Sequence, residues 1–264
     1  MIINQPITIV AHRGDSYRFP ENTLVSMAAA LETAAPIIEI DLHMTRDNQL
    51  VVIHDEKLNR TCNRVGYVRD YTLAELKQYD FGIWRGRHHS NQRIMTFKEI
   101  LAYMRNTSRQ LLVELKLPHK YPGIERQLIS EIRDLQFPYS QLIIQSFDFK
   151  SLKQLHQLDD ALTLGLLLKR KHVWKRWPHL KTYTQICDYI NPHFKNVTRR
   201  LVKEIHRHHA KVMPYTVNRL LQGYHLYHKG VDGLITDRPQ LMCQLMKRLS
   251  ESRAGQSERK SLKN

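Results

Sequence analysis

Four short stretches of this sequence hold residue types that handle charged, oxygen-rich ligands. His12-Arg13-Gly14 sets an imidazole beside a guanidinium, and Glu39-Ile40-Asp41 sets two carboxylates two residues apart. His54-Asp55 supplies a second imidazole, and Glu114-Leu115-Lys116 pairs a third carboxylate with an ammonium. In an extended strand alternate side chains share a face, so Glu39 and Asp41 point one way while Ile40 points the other. Two carboxylates on one side repel unless a cation lies between them, which makes a hard divalent ion the economical explanation. Glu114 can complete an oxygen-ligand set, with Lys116 as a cationic neighbour. The competing reading pairs Glu39 and Asp41 with Arg13 and Lys116 and needs no metal, but it buries four charges with little benefit to stability.

Such a site needs elements that converge. Short apolar, β-branched runs recur at residues 7–11, 37–40, 50–53, 111–115, 142–145, 162–167, 186–190, 211–215 and 233–235. Unalternated runs of this kind suit strands buried on both faces, as in a parallel sheet. Between them lie stretches with helical spacing at 22–34, 121–135, 147–158, 198–209, 217–227 and 238–249. About eight strand–helix alternations predict an α/β fold of the (β/α)₈ barrel type, whose catalytic residues sit at the C-terminal ends of the strands. The four chemical stretches fall at such ends. Residues 45–106 break the alternation and read as a small insertion after the second barrel strand, with helices at 73–79 and 97–104. The expected organisation is one barrel domain over residues 5–250, followed by a disordered basic tail at 251–264. Asp55 is expected to orient a loop and Asp237 to cap the last helix.

Composition bounds the rest. The 264 residues carry 41 Lys/Arg against 25 Asp/Glu, for a net charge of +16, and 42% are hydrophobic. That apolar share excludes wholesale disorder, and no apolar run approaches the roughly 20 residues of a membrane-spanning helix. The first 60 residues hold five Lys/Arg against eight Asp/Glu, leaving 36 against 17 in the remainder, so the positive charge avoids the acidic motif. Three widely spaced cysteines and an opening segment without the features of a secretion signal predict a reducing, cytoplasmic setting. Lys169-Arg170-Lys171 and Lys175-Arg176, close to Trp174 and Trp177, read as a solvated loop shaping the mouth over the fifth strand. Their alternative is a patch for peripheral contact with an anionic membrane; nucleic acid is not an expected partner.

The order His-Arg-Gly, Pro20-Glu21-Asn22-Thr23, Glu-x-Asp, Thr45-x-Asp47, His-Asp with Arg60-Thr61, and Glu-x-Lys resembles the signature of the glycerophosphodiester phosphodiesterases. Gln145-Ser146-Phe147-Asp148, Thr216-Val217-Asn218 and Thr236-Asp237-Arg238-Pro239 are similar to that family's later blocks. The likeness runs from residue 7 to about 240. It implies hydrolysis of a small glycerophosphodiester to sn-glycerol 3-phosphate and an alcohol, with Ca²⁺ or Mg²⁺ held by Glu39, Asp41 and Glu114. It also implies His12 and His54 as the acid–base pair, and phosphate contacts from Arg13 and Lys116. Tyr215 stands where the family commonly has tryptophan and would line the glycerol or head-group pocket. The chemistry is coherent: cations screen the phosphodiester charge, while one imidazole takes a proton from the nucleophile, in the first instance His12, and His54 returns one to the departing alkoxide. The alternatives are a lysophospholipase D- or sphingomyelinase D-like activity on lipids, and a basic binding protein whose catalytic set is vestigial.

Overall fold

The structure, a computed structural model, describes residues 7–171 and 179–261, with side chains as far as residue 252. Trp174, Lys175, Arg176 and Trp177 therefore lie outside the described residues. The strands are β1 (Thr8–Ala11), β2 (Ile37–Met44), β3 (Leu50–Val52), β4 (Gln110–Leu115), β5 (Leu142–Ser146), β6 (Thr163–Leu168), β7 (Tyr189–Pro192) and β8 (Gly233–Thr236). Seven of them form a curled parallel sheet in the order β7-β6-β5-β4-β2-β1-β8, and β3 pairs antiparallel with the end of β2.

The segment 211–215, expected as a strand, closes the ring without becoming a regular one. It bridges β7 at Tyr189–Lys211 and His193–Tyr215, and the Val212 and Pro214 carbonyls accept from Gly233 and Ile235 of β8. The ladder is interrupted because Pro214 has no N–H and because the Met213 N–H is taken by the Asn191 side chain at 3.0 Å. The result is the expected (β/α)₈ arrangement.

The helices are α1 (Leu24–Leu31), α2 (Leu73–Leu76), α3 (Phe97–Met104), α4 (Ile124–Asp134), α5 (Phe149–Leu158), α6 (Leu180–Tyr183), α7 (Arg199–Arg207), α8 (Leu220–Tyr227) and α9 (Pro239–Ser261). Thr23, Thr72 and Thr96 start α1, α2 and α3, each accepting from the third helical N–H in a reciprocal capping box. Helix α3 drives Phe97, Ile100, Leu101 and Met104 into the main core between sheet and helices, so it is the barrel's own helix. The true insertion is therefore shorter than expected and packs around Val51, Leu58, Val68, Leu76, Phe81 and Ile94. At the other end α9 runs through most of the segment expected as a disordered tail, whose Arg, Lys, Glu and Ala residues are good helix formers.

Strand alternation builds the interior in two layers. Val10, Ile37, Leu112, Ile143, Met213 and Ile235 form an apolar floor. Two residues further along each strand the same face carries His12, Glu39, Glu114, Gln145, Tyr215 and Asp237, so the floor gives way to polar groups at the mouth.

Candidate active site

The parallel register of β2 and β4 sets Asp41 opposite Glu114, and alternation aligns Glu39 with Asp41. Oxygens of Glu39, Asp41 and Glu114 all lie within 4.8 Å of one another, and all three residues are buried. Two cations answer them. Arg13 Nε stands 3.1 Å from Asp41 Oδ2, and Lys116 Nζ stands 2.7 Å from Glu114 Oε1 and 3.5 Å from Asp41 Oδ1. The metal-free pairing weighed above is thus partly present, but three carboxylates face two cations. Glu39 receives only the Arg13 backbone N–H, at 2.9 Å, and its Oε1 has no hydrogen-bond partner; nor does Asp41 Oδ1. Burial, with Asp41 and Glu114 adding repulsion, pushes the Glu39 carboxyl well above its ordinary range. Burial opposes ionisation of Asp41 as well, yet Arg13 and Lys116 hold it far below the usual carboxylate range. Buried, orphaned, all-oxygen donors with an uncompensated negative charge fit a hard divalent cation.

Local backbone geometry serves this cluster. Arg13 adopts φ 58° and Asn22 φ 57°, both left-handed. Such conformations cost free energy in non-glycine residues and persist where the surroundings enforce them. Here they aim the Arg13 N–H at Glu39 and the Asn22 amide at Asp41 Oδ2, at 2.9 Å. Gly14 follows at φ 79°, and a Cβ there would lie 2.5 Å from the Ser26 carbonyl.

Each histidine is held by a carboxylate. His12 Nδ1–H donates to Asp237 Oδ1 at 2.5 Å and His54 Nδ1–H to Asp55 Oδ1 at 2.6 Å, leaving both Nε2 atoms free for other work. The expected loop role of Asp55 is thus extended to its histidine neighbour. The expected helix-capping role of Asp237 is corrected, because its carboxylate is spent on His12, Ser16 and Asn218. Its interior-facing position two residues after Ile235 is the signal that would have found it. Burial disfavours ionisation of Asp237, but the bond to His12 brings it down to about 2. Arg60 forks across Asp55 and Glu21, and Glu21 in turn accepts from Arg13 at 2.8 Å. Burial and the nearby Arg13 and Lys116 charges lower the proton affinity of His54, against the pull of Asp41.

Sequence reasoning passed over His43. It shares the inward face of β2 with Glu39 and Asp41, is fully buried, and lies 3.0 Å from the His54 carbonyl and 2.7 Å from the Tyr121 hydroxyl. The carbonyl can only accept, so His43 donates from Nε2 and accepts at Nδ1 from Tyr121. Tyr215 lies at the mouth, packing edge-on against Phe147 at 5.8 Å, with its hydroxyl donating to the Leu168 carbonyl at 3.0 Å.

Fold and site together define an α/β barrel with an acidic, cation-rimmed mouth flanked by two histidine–aspartate pairs. Residues 12–241 match the model of the "Glycerophosphoryl diester phosphodiesterase family". A glycerophosphodiester phosphodiesterase of Caldanaerobacter subterraneus subsp. tengcongensis is 35% identical over 91% of this chain and 98% of its own. One from Bacillus subtilis is 34% identical over 91% and 87%. Among solved structures, an Oleispira antarctica phosphodiesterase in complex with the product sn-glycerol-3-phosphate superposes with a TM-score of 0.81. It is 27% identical and covers 91% of this chain and 96% of its own. A Silicibacter pomeroyi protein of the same fold reaches a TM-score of 0.84, at 22% identity over 94% and 95% of the two chains. The chain belongs to the glycerophosphoryl diester phosphodiesterase family. It is accordingly a phosphoric diester hydrolase. No described helix is long and apolar enough to cross a membrane.

Proposed function

We propose that this enzyme hydrolyses glycerophosphodiesters to sn-glycerol 3-phosphate and an alcohol, with Glu39, Asp41 and Glu114 holding a divalent cation, Ca²⁺ or Mg²⁺. The observation that carries the reading is the pair of buried oxygens without a hydrogen bond, Glu39 Oε1 and Asp41 Oδ1, inside a cluster of three carboxylates. The product complex of the Oleispira antarctica relative supports the substrate class. When bound, the cation supplies charge neutralisation for the phosphodiester and lowers the pKa of an attacking hydroxyl.

The protein residues do the rest. Arg13 and Lys116 face the phosphate and offset its negative charge, and both are already fixed by carboxylates, so little reorganisation accompanies binding. His12, whose Nδ1–H is committed to Asp237, offers the Nε2 lone pair to the proton of the attacking hydroxyl, whether that of water or of the substrate glycerol. His54 gives a proton to the departing alkoxide. In the free site Arg13 and Lys116 disfavour its charged form, and an arriving phosphodiester anion adds the negative charge that restores its affinity for a proton. The edge-on pair of Tyr215 and Phe147 would border the non-reacting part of the substrate.

The test is release of glycerol phosphate from a panel of water-soluble glycerophosphodiesters beside a long-chain lysolipid, with and without chelator. Chelator, His54→Ala and Glu39→Ala should each abolish release while circular dichroism stays native. Wild-type turnover by either variant would overturn the assignment of the site. Phosphorus NMR during turnover separates attack by the glycerol hydroxyl, which passes through a cyclic phosphate, from direct attack by water.

A further inference from the structure

The exposed apolar side chains are unevenly placed. Tyr17 lies in the loop after β1, Ile83 and Trp84 form a turn of the insertion, and Leu220 and Leu221 open α8. Tyr17 is 53% exposed and Leu221 is 68% exposed. In a barrel the loops after strands and the first turns of the helices that follow share the face that carries the site. Bonds tie these residues to it. Arg85 donates to the Tyr17 carbonyl and lies 5.8 Å from the Trp84 ring, joining the insertion turn to the β1 loop. The Arg238 guanidinium sits 3.9 Å over the Tyr17 ring and follows Asp237, the partner of His12. Asn218, two residues before Leu220, holds the same Asp237 from the other side.

Charge accompanies the apolar groups. Residues 81–93 contain three arginines and two histidines and no acid, and Arg219 and Arg238 add to them. Contiguous exposed apolar side chains rimmed by cations mark interaction surfaces. Indole, phenol and arginine side chains together suit the boundary between acyl chains and anionic head groups, where each arginine improves partitioning about fivefold.

We propose that this rim docks the catalytic mouth onto an anionic lipid surface. Docking presents lipid-borne glycerophosphodiesters to the site; that consequence rests on the proposed function, whereas the docking does not. The Trp174–Trp177 stretch, for which membrane contact was the alternative to a solvated loop, lies outside the described residues and takes no part in this proposal.

Vesicle flotation at low salt tests it, comparing pure phosphatidylcholine with phosphatidylcholine containing phosphatidylglycerol. The wild type is expected to float with the anionic vesicles and not with the neutral ones. The Ile83→Ser/Trp84→Ser variant should bind at least about tenfold more weakly, and Arg87→Gln about fivefold. Both should hydrolyse glycerophosphocholine at the wild-type rate, and the loss of a vesicle-induced blue shift in Trp84→Phe should identify the contact. Equal binding to both vesicle types, or undiminished binding by the double variant, overturns the proposal. Absence of flotation alongside normal hydrolysis sinks the docking alone; flotation without hydrolysis sinks the proposed function alone.

Discussion

Replacing Asp237 with asparagine tests how the site fixes a histidine tautomer, because the surroundings dictate which way the new amide must face. Asn218 Oδ1 accepts the backbone N–H of residue 237 at 2.9 Å and the Thr236 hydroxyl at 3.2 Å, so its Nδ2 must point at the side chain of residue 237. An asparagine there can meet that donor only with its carbonyl oxygen, which turns its own amide nitrogen toward His12 Nδ1. His12 must then accept at Nδ1 and carry its proton on Nε2, so it has no lone pair for the attacking hydroxyl. Two costs follow: loss of a charge-assisted hydrogen bond, about 1.5–3 kcal/mol, and the unsatisfied donor met when the productive tautomer forms, about 1–3 kcal/mol. Together, at about 1.4 kcal/mol per factor of ten, they amount to roughly a 10²- to 10⁴-fold loss of kcat. KM and the thermal midpoint should barely move, since the substitution is isosteric. Steady-state kinetics on a soluble glycerophosphodiester, with melting followed in parallel, reads both. A kcat reduced less than about fivefold in a folded variant would refute the tautomer argument.

Three other outcomes follow from the same geometry. Glu39→Gln removes a buried carboxyl whose ionisation burial and the neighbouring Asp41 and Glu114 oppose, so its melting point in chelator should equal or exceed that of the wild type. Added Ca²⁺ or Mg²⁺ should stabilise only the wild type, by about 2.7 kcal/mol at a hundredfold excess over Kd; an equal gain in the variant would exclude Glu39 as a ligand. Burial holds His43 neutral down to about 4, against an ordinary 6.5. The unfolded chain binds that proton first, so stability, fully present above 6.5, should fall by about 3 kcal/mol as pH drops through this window. Urea midpoints in chelator should show that slope in the wild type and a shallower one in His43→Gln; identical slopes would clear His43 of the effect. Phe97 is fully buried where α3 meets the sheet, and Phe97→Ala should cost about 3–5 kcal/mol in urea unfolding. A loss below about 1 kcal/mol would mean that α3 is not part of the barrel core.

What the sequence made legible was whatever period-two alternation encodes. Glu39 with Asp41, and Glu114 beyond the buried Leu112, announce their common face because a strand has no other way to arrange them. The same rule extended one step finds His43, and applied to Ile235 it turns Asp237 inward, so the omission of the one and the helix-capping role given to the other were both failures to continue a pattern. The segment between β7 and β8 was a different matter. Its apolar run at 211–215 is real, but Pro214 and the Asn191 side chain replace ladder bonds, and neither substitution shows in hydrophobic periodicity. The insertion's boundary was likewise hidden, because an amphipathic helix such as Phe97–Met104 does not say which of two adjoining cores it covers.

The +16 charge of the whole chain gains meaning from the same placement. The acidic cluster is compensated only in part by Arg13 and Lys116, and each of these is already engaged by carboxylates, so neither is free to attract a partner at long range. Arg85 and Arg93 of the insertion and Arg238 after β8 are engaged with carbonyls and rings, so their charge remains available to the surroundings. A negatively charged surface approaching the barrel mouth therefore meets the arginines of the rim before it meets the buried carboxylates. Screening by salt should weaken that attraction, whose reach is roughly 10 Å at about 0.1 M, while leaving the ion pairs inside the mouth nearly unchanged. Salt thus separates the two sets of charges: it should lower vesicle binding steeply and kcat on a soluble diester hardly at all.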